Sequence, residues 1–306
     1  MLRWRLISAT IILSVLFGLI YLDVVYPIRG VAGAWLLPIS LLAVVGGLAE
    51  LLDMLATGGH RPARWAVYTG SLLVFLATCA PLGWPLLGNT YPADCPLGKL
   101  GWPLIATAGA ILLAFWAEVL RYREPGKALV NVALAVFAIC YVGLLTSFLV
   151  LLRTVNSTEP LWGMIALLST ISIVKMSDTG AYTFGRLFGK HKLAPRLSPG
   201  KTIEGLIGGL VTAVVTALLW PLVLIPMILP KAATPSLVGW FLCGLMIAIA
   251  GVVGDLAESL LKRDMGCKDS GRWVPGLGGF LDILDSLLFA APVAFTCWAV
   301  GLLGST

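Results

Sequence analysis

The chain has 306 residues, of which 59% are hydrophobic and only 12% are charged, whereas about 25% of the residues of a soluble domain are charged. This composition excludes a water-soluble globular protein. The net charge of +6 could suggest a nucleic-acid partner. The basic residues, however, are dispersed over loops between apolar segments, so an anionic membrane surface or an anionic substrate explains them better. We therefore expect no nucleic acid among the partners.

Apolar segments of about 20 residues, the length that crosses the hydrocarbon core of a bilayer, follow one another along the chain. The sequence thus predicts an all-α fold, a polytopic transmembrane helical bundle of about nine spans. The predicted spans are residues 6–22, 31–55, 65–88, 102–120, 128–152, 161–184, 205–229, 237–261 and 278–303. The first span, preceded by Arg3 and Arg5, resembles a signal peptide. No small-residue cleavage site comes after it, however, so we expect a retained span.

The lysines and arginines predict the orientation, because cytoplasmic loops carry the excess of positive charge. If the N-terminus is inside, sixteen of the 21 basic residues fall on the cytoplasmic side, four fall on the far side, and Lys175 lies within a span. The N-terminus is therefore predicted to be cytoplasmic, and the C-terminus is predicted to lie on the far side.

The first five predicted spans contain few charged residues, the exceptions being Glu50, Asp53 and Glu118. We therefore expect residues 1–160 to form an N-terminal transmembrane scaffold. Residues 161–306 are expected to form the C-terminal transmembrane catalytic region, because four polar segments follow one another there.

The first polar segment, Lys175–Tyr182, places a lysine and an aspartate three positions apart near the predicted cytoplasmic end of the sixth span. A charge within the bilayer costs about 2.5–3.5 kcal/mol on insertion scales, so both side chains require pairing or a function. Mutual neutralisation of Lys175 and Asp178 on one helical face is one explanation. The neighbouring hydroxyls and Gly180 favour another, in which the helix is opened so that a ligand can approach closely.

The second polar segment is a basic loop that ends in Ser198-Pro-Gly-Lys-Thr202, directly before the predicted seventh helix. Proline and glycine favour a tight turn, Lys201 and Thr202 offer donors, and a helix N-terminus attracts anions. We therefore predict a phosphate site at this turn. A Walker P-loop is excluded, because Pro195 stands where its first glycine would be and no strand precedes it.

The third and fourth segments carry carboxylates at helical spacing. Asp255, Glu258 and Lys262 share one face at the end of the eighth span. Asp282 and Asp285 share one face at the start of the ninth. In a membrane-embedded helix such a stripe faces the protein interior or a cavity. Carboxylates suit Mg²⁺ that also binds substrate phosphates, whereas helix capping explains one aspartate but not all of them.

Together, these segments offer carboxylates for a metal ion, a turn for phosphate and a basic cytoplasmic rim. Phosphoryl and nucleotidyl transfer need positioned metal ions and cations rather than covalent chemistry from the protein. A site of this kind at the bilayer surface implies one lipid substrate and one soluble phosphate substrate.

The same segments resemble the signature of the phosphatidate cytidylyltransferase (CDP-diacylglycerol synthase) family, over roughly residues 170–290. The C-terminal part of the signature stands here as Ser259, Lys262-Arg263, Lys268-Asp269, Pro275-Gly-Leu-Gly-Gly279 and Asp282-Ile-Leu-Asp-Ser286. The upstream blocks stand as Asp178-Thr-Gly-Ala-Tyr182, Gly185-Arg-Leu-Phe-Gly-Lys190 and Ser198-Pro-Gly-Lys-Thr202 with Glu204-Gly205. Two positions differ, since Leu277 replaces the family's histidine and Ile283 replaces its arginine.

The resemblance implies an Mg²⁺-dependent nucleotidyltransferase of phospholipid biosynthesis, with or without a second cation. Its substrates would be CTP and phosphatidate, a membrane lipid, and its products CDP-diacylglycerol and pyrophosphate. It further implies a homodimer in the bacterial inner (plasma) membrane, with the active site facing the cytoplasm.

We expect Asp255, Asp282 and Asp285 to hold the metal. The predicted catalytic residues are Asp178, Lys201, Asp255 and Asp282. Lys201 is expected to bind phosphate, while Asp178 lines the polar pocket or supports the metal. The predicted substrate-binding residues are Ser198, Thr202, Lys262, Arg263, Lys268 and Arg272. Arg263 or Arg272 is expected to bind the substrate phosphate where Leu277 and Ile283, being apolar, are unable to do so.

Other functions fit parts of the pattern. A CTP-dependent polyprenol or phytol-type lipid kinase transfers the γ-phosphoryl group, so it releases CDP rather than pyrophosphate. A CDP-alcohol phosphotransferase is disfavoured, because its Asp-Gly-x-x-Ala-Arg run is absent. A cation- or proton-coupled transporter could use Asp178, Asp255 and Asp282, but it would carry polar residues at mid-depth in several spans, whereas here they lie at the predicted cytoplasmic ends.

Overall fold

The computed structural model describes residues 2–92, 94–123, 125–156, 159–230, 235–271 and 278–304, with side chains from residue 7 onwards. Within these residues, nine helices are long and apolar enough to cross a membrane. They are α1 Leu2–Val25, α2 Leu37–Thr57, α3 Arg64–Leu86, α4 Gly98–Arg121, α5 Ala128–Arg153, α6 Pro160–Phe188, α7 Ile203–Ile228, α8 Leu237–Asp264 and α9 Phe280–Ala299. The predicted all-α polytopic bundle is confirmed.

Large apolar side chains are exposed along these helices. The exposed fraction is 66% for Leu104, 71% for Leu112 and 79% for Leu129. In water such side chains would promote association, whereas in a bilayer they contact lipid tails. The chain is therefore an integral membrane protein, and its predicted orientation stays a prediction.

A short β-hairpin, which the sequence did not predict, connects α6 and α7. Strand β1, Lys192–Ala194, pairs antiparallel with β2, Ser198–Thr202. The strands are three and five residues long, too short to show the alternation of apolar and polar residues that predicts a strand. The hairpin carries Lys201 and ends directly at the first turn of α7.

The chain forms two compact units. The first unit comprises Met1–Leu151 and Asp264–Leu284, and the second comprises Leu152–Arg263 and Asp285–Thr306. The segment 264–284 thus belongs with the N-terminal helices by its contacts, although the sequence placed it in the C-terminal region. The predicted division into a scaffold, residues 1–160, and a catalytic region, residues 161–306, was based on where the catalytic residues lie. It stays a prediction.

In the second unit, glycines allow α6 and α7 to approach closely. A Cβ atom on Gly180 would collide with Thr212, and one on Gly205 would lie 2.7 Å from the carbonyl oxygen of Ala181. Small residues at such positions let the backbones of membrane helices pack against each other. Because α6 is continuous from Pro160 to Phe188, the predicted opening of the helix at Gly180 is wrong, and the glycine serves helix packing instead.

Candidate active site

The charged pair on α6 lies well inside the helix. Lys175 Nζ is 3.6 Å from Asp178 Oδ2, and both side chains are partly exposed. Since α6 continues for ten residues beyond Asp178, this carboxylate lies about 15 Å before the end of the helix at a rise of about 1.5 Å per residue. The geometry agrees with mutual neutralisation, and the partial exposure leaves both groups accessible to a ligand.

The hairpin presents Lys201 to α8. Lys201 Nζ lies 2.6 Å from Asp255 Oδ2, and the two side chains are 24% and 35% exposed. The adjacent Thr202 is the N-cap of α7, since its Oγ1 accepts a hydrogen bond of 3.1 Å from Gly205 N. Capping satisfies one of the free amides that a helix leaves at its start. Thr202 was predicted as a donor to substrate; its side chain is buried here, and that role stays a prediction.

Glu204 fixes the start of the hairpin. Its Oε2 accepts hydrogen bonds from the backbone N atoms of Lys190 (3.0 Å) and His191 (3.2 Å). Its Oε1 lies 2.6 Å from Nδ1 of His191. Because Glu204 is in the first turn of α7, these bonds tie the loop to the same helix that Thr202 caps. The position of Lys201 is thereby determined at both ends of the hairpin.

The charged side chains Asp255, Glu258 and Lys262 of α8 form two separate ion pairs. Asp255 pairs with Lys201, whereas Lys262 Nζ pairs with Glu258 Oε2 at 2.8 Å. Glu258 is only 1% exposed. Arg263 Nε donates to the carbonyl oxygen of Leu197 at 3.2 Å, which attaches the end of α8 to the hairpin. Lys262 and Arg263, predicted to contact substrate, therefore both have protein partners.

Asp285 of α9 is a further carboxylate of the second unit. It is 7% exposed, and its Oδ1 accepts a hydrogen bond of 2.5 Å from Ser286 N. It interacts electrostatically with Asp255, Lys175 and Asp178. We call these residues the carboxylate–lysine cluster: Lys175, Asp178, Lys201, Asp255 and Asp285. The cluster brings together carboxylates from α6, α8 and α9 with two lysines. The predicted catalytic roles of these residues stay predictions.

Asp282 belongs to the first unit. Its Oδ2 accepts hydrogen bonds from Ser270 Oγ and from Gly279 N, each 2.8 Å long. Gly279 directly precedes α9, so Asp282 reaches back to the amide at the helix start, as the third residue of a capping box does. Capping therefore explains part of the role of Asp282, as the sequence allowed for one of the aspartates.

A buried glutamate next to Asp282 was missed. Glu50 of α2, 1% exposed, accepts a hydrogen bond of 2.9 Å from Leu281 N at its Oε2. A Cβ atom on Gly271 or on Gly279 would collide with its carboxylate. The sequence assigned Glu50 to the scaffold, although a carboxylate within a span was a signal of function.

The structure also describes Ser198, Lys268 and Ile283, which the sequence analysis singled out. Ser198 is half-buried at the start of β2, Lys268 is exposed, and Ile283 is half-buried in the first turn of α9. Arg272 and Leu277 lie outside the described residues.

The donor set fits Mg²⁺ chemically. Asp178, Asp255 and Asp285 supply hard oxygen ligands of the kind that Mg²⁺ prefers beside substrate phosphates. Among the residues that the structure describes, no group of three or more Asp, Glu, His or Cys side chains is arranged to hold a metal ion. Instead, lysines pair with two of the carboxylates. The predicted metal ligands Asp255, Asp282 and Asp285 stay a prediction.

Comparisons with known proteins place the chain in a family. Over 187 residues it is 37% identical to a phosphatidate cytidylyltransferase of Staphylococcus aureus (strain COL), which covers 60% of this chain and 66% of that protein. The corresponding enzyme of Staphylococcus epidermidis is 36% identical over 195 residues, covering 62% of this chain and 68% of that protein. An uncharacterized protein, YnbB of Escherichia coli (strain K12), is 38% identical over 162 residues, covering 53% and 49%.

The matched segment spans just under two thirds of the length of the Staphylococcus aureus enzyme. The sequence model of the cytidylyltransferase family covers much more, since it matches residues 4–300. These findings confirm the resemblance that the sequence segments indicated. With nearly the whole length matched, this chain belongs to the cytidylyltransferase family.

Proposed function

We propose that this protein transfers the cytidylyl group of CTP to phosphatidate, forming CDP-diacylglycerol and pyrophosphate in phospholipid biosynthesis. The ion pair of 2.6 Å between Lys201 and Asp255 is the observation that carries the proposal. It joins a phosphate-binding cation to a metal-binding carboxylate within the carboxylate–lysine cluster. The names of the staphylococcal relatives support the same activity.

The reaction needs charge stabilisation more than proton transfer. An oxygen of the phosphatidate phosphate attacks the α-phosphorus of CTP and forms the new P–O bond. The bond from the α-phosphorus to the bridging oxygen breaks, and pyrophosphate leaves with the electron pair. Because the attacking oxygen is already anionic at neutral pH, no side chain has to remove a proton. What remains for the protein is to hold several negative charges in line.

Lys201 is suited to this task. Its Nζ is already directed by the hairpin and by Asp255, so it loses little conformational freedom on meeting a phosphate. A lysine provides a compact positive charge for phosphate oxygens. Lys175, partly exposed beside Asp178, supplies a second cation within the cluster. The two lysines would hold the triphosphate, and Ser198 and Thr202 would add hydroxyl donors.

Asp255 and Asp285 would hold Mg²⁺, with Asp178 as a supporting carboxylate. When bound, Mg²⁺ neutralises phosphate charge and polarises the α-phosphorus for attack. Lys201 and Lys175 pair with two of the carboxylates, so the positive charges offset most of the negative charge of the cluster.

We further infer that the protein lies in the inner membrane of a bacterial cell and that the cluster faces the cytoplasm. We also infer that the protein forms a homodimer. The excess of basic residues on one side of the spans supports the orientation. The bacterial origin of the relatives supports a location in a bacterial membrane. The homodimer rests on the family resemblance alone.

The test is a product assay on the full chain, purified and reconstituted in phosphatidylcholine vesicles. With CTP, phosphatidate and Mg²⁺, we expect CDP-diacylglycerol and pyrophosphate in equal amounts. Lys201→Ala should reduce the rate at least about a hundredfold, the loss typical when a charge-stabilising group is removed. Lys192→Ala is the matched control, since the ammonium group of this exposed lysine of the same hairpin donates to the carbonyl oxygen of Pro199 and has no assigned role in the proposed site.

The products also test the alternatives. Release of CDP with a newly phosphorylated lipid would identify a lipid kinase. Cation flux across the vesicles without turnover of CTP would identify a transporter. Either result with folded protein would overturn the proposal.

A further inference from the structure

The first unit contains a cavity of about 630 Å³ between α2, α3 and α4. Three arginines line it, together with a histidine and a tryptophan: Arg61, Arg64, Arg121, His60 and Trp65. We call it the arginine pocket. Its volume lies within the range of about 300–1,000 Å³ that is usual for ligand sites, and none of its residues belongs to the carboxylate–lysine cluster.

The arginines of the pocket are only partly neutralised. Arg64 Nη2 pairs with Asp53 Oδ1 at 2.6 Å. Arg121 Nη1 is 3.9 Å from Glu118 Oε2, at the limit of an ion pair. The exposed side chain of Arg61 makes no ion pair with any residue that the structure describes. Neither carboxylate lines the cavity, whose described lining includes three guanidinium groups and no acidic side chain.

The backbone orders this basic wall. Arg121 Nη2 donates to the carbonyl oxygen of Arg61 at 3.2 Å, which joins the end of α4 to the loop before α3. The Arg121 side chain is therefore held at the backbone of Arg61, although sixty positions separate the two residues. Arginines that line one cavity offer a phosphate several hydrogen bonds in parallel, which a single lysine cannot do.

An apolar groove of about 300 Å³ follows the same turn of α4. Phe115, Val119, Tyr122, Leu129 and Val132 line it. The side chains of Val119 and Leu129 are 64% and 79% exposed. Since α4 and α5 span the membrane, this groove is open to lipid tails. Glu118 links the two features, because it lines the groove and its Oε2 faces Arg121 of the arginine pocket.

We propose that the arginine pocket binds the phosphate of an anionic glycerophospholipid whose acyl chain lies in the groove. Basic pockets between transmembrane helices on the cytoplasmic side bind anionic head groups, and the arginines here lie at or next to the helix ends that are predicted to face the cytoplasm. Trp65 suits the interface between head groups and tails. A free phosphate carries the same anionic group as the lipid head group, but it has no acyl chain to occupy the groove. The proposal does not depend on the proposed activity.

The experiment counts bound lipid on the full chain in detergent by native mass spectrometry. The probes are dioleoyl phosphatidylglycerol, dioleoyl phosphatidylcholine and inorganic phosphate, each titrated separately. Phosphatidylglycerol replaces phosphatidate because phosphatidate is the proposed substrate and would also bind at the cluster. We expect the wild type to bind phosphatidylglycerol more tightly than phosphatidylcholine, which has the same tails.

Variants assign the binding to the pocket. Arg61→Gln removes an exposed side chain and should leave the fold intact, while Arg61→Gln with Arg121→Gln should weaken phosphatidylglycerol binding at least about tenfold. Arg123→Gln is the matched control, because it removes one exposed positive charge two positions from Arg121 and does not line the pocket. Leu129→Gln should weaken lipid binding without changing the binding of inorganic phosphate.

Two results would overturn the proposal. One is equal binding of both lipids by the wild type, or phosphatidylglycerol binding that the double variant retains. The other is binding of inorganic phosphate that depends on the arginines while lipid binding does not, which would assign the pocket to a soluble anion. Arg61→Gln alone decides the matter if the double variant is misfolded, since a lipid affinity equal to that of Arg123→Gln would contradict the assignment.

Discussion

The carboxylate of Glu50 accepts a hydrogen bond of 2.9 Å from the backbone N of Leu281, although 231 residues separate the two in the chain. Within the first unit, the bond joins α2 to the first turn of α9. Asp282 is the next residue, and Ser270 Oγ lies between the two carboxylates, 2.8 Å from Asp282 Oδ2 and 3.5 Å from Glu50 Oε2. Glu50 therefore positions the segment that carries Asp282.

Two replacements of Glu50 should separate its effect on stability from its effect on the Mg²⁺ dependence of turnover. Glu50→Ala leaves the amide of Leu281 without a partner, at a cost of about 1–3 kcal/mol, whereas Glu50→Gln keeps an acceptor oxygen. We expect Glu50→Ala to lower the midpoint of unfolding in detergent and Glu50→Gln to preserve most of it. If Glu50 positions Asp282, and Asp282 is a metal ligand as the sequence predicts, the Mg²⁺ concentration for half-maximal turnover should rise in Glu50→Ala.

Asp53→Asn is the control for Glu50, because Asp53 lies on the same helix and its ion pair with Arg64 is exposed. Exposed ion pairs contribute about 0–1 kcal/mol, so the unfolding midpoint should change little. An unchanged Mg²⁺ dependence in a destabilised Glu50→Ala variant would reduce Glu50 to a purely structural residue.

Thr202→Ala should destabilise the start of α7. The lost hydrogen bond from Gly205 N to Thr202 Oγ1 is worth about 0.5–2 kcal/mol in an N-cap. Thr202→Ser keeps the capping oxygen and should behave as the wild type. Hydrogen exchange of the amides in residues 203–206 measures the effect. Slow exchange in both variants would show that the hairpin, rather than the cap, holds this turn.

Gly180→Ala should weaken the packing of α6 on α7. The added methyl group would collide with Thr212 and lie 3.0 Å from the carbonyl oxygen of Gly208, and a backbone atom cannot yield as a side chain does. We expect a lower unfolding midpoint in detergent. In Gly109→Ala, the control on α4, the new Cβ meets nothing within 4 Å. This variant should gain up to about 1 kcal/mol, because alanine favours a helix more than glycine does.

The sequence predicted the spans well because each depends on local composition alone. It failed where contacts between distant residues decide the structure. Gly180 was assigned to an opened helix, since nothing in the local pattern distinguishes a glycine that admits a ligand from one that admits another helix. Glu50 was assigned to the scaffold, because its partner Leu281 is reached only through the fold. Lys201 and Asp255 were both predicted, but their ion pair was not.

The proposed metal ligands Asp255 and Asp285 allow a test of metal binding that does not depend on turnover. If Asp255 and Asp285 hold Mg²⁺, millimolar Mg²⁺ should raise the unfolding midpoint of the full chain in the absence of substrate, because a ligand that binds only the folded state stabilises it by RT ln(1 + [L]/Kd). Asp255→Asn should abolish this increase. The same variant leaves Lys201 without its partner, so its midpoint without Mg²⁺ should also be lower than that of the wild type.

Lys201→Met provides the control for the metal assignment. It breaks the same ion pair but leaves both carboxylates in place, so the stabilisation by Mg²⁺ should persist or increase, because a competing cation has been removed. EDTA should reverse the effect in the wild type and in Lys201→Met. An equal stabilisation of the wild type and Asp255→Asn by Mg²⁺ would exclude Asp255 as a ligand, whatever the two variants do to turnover.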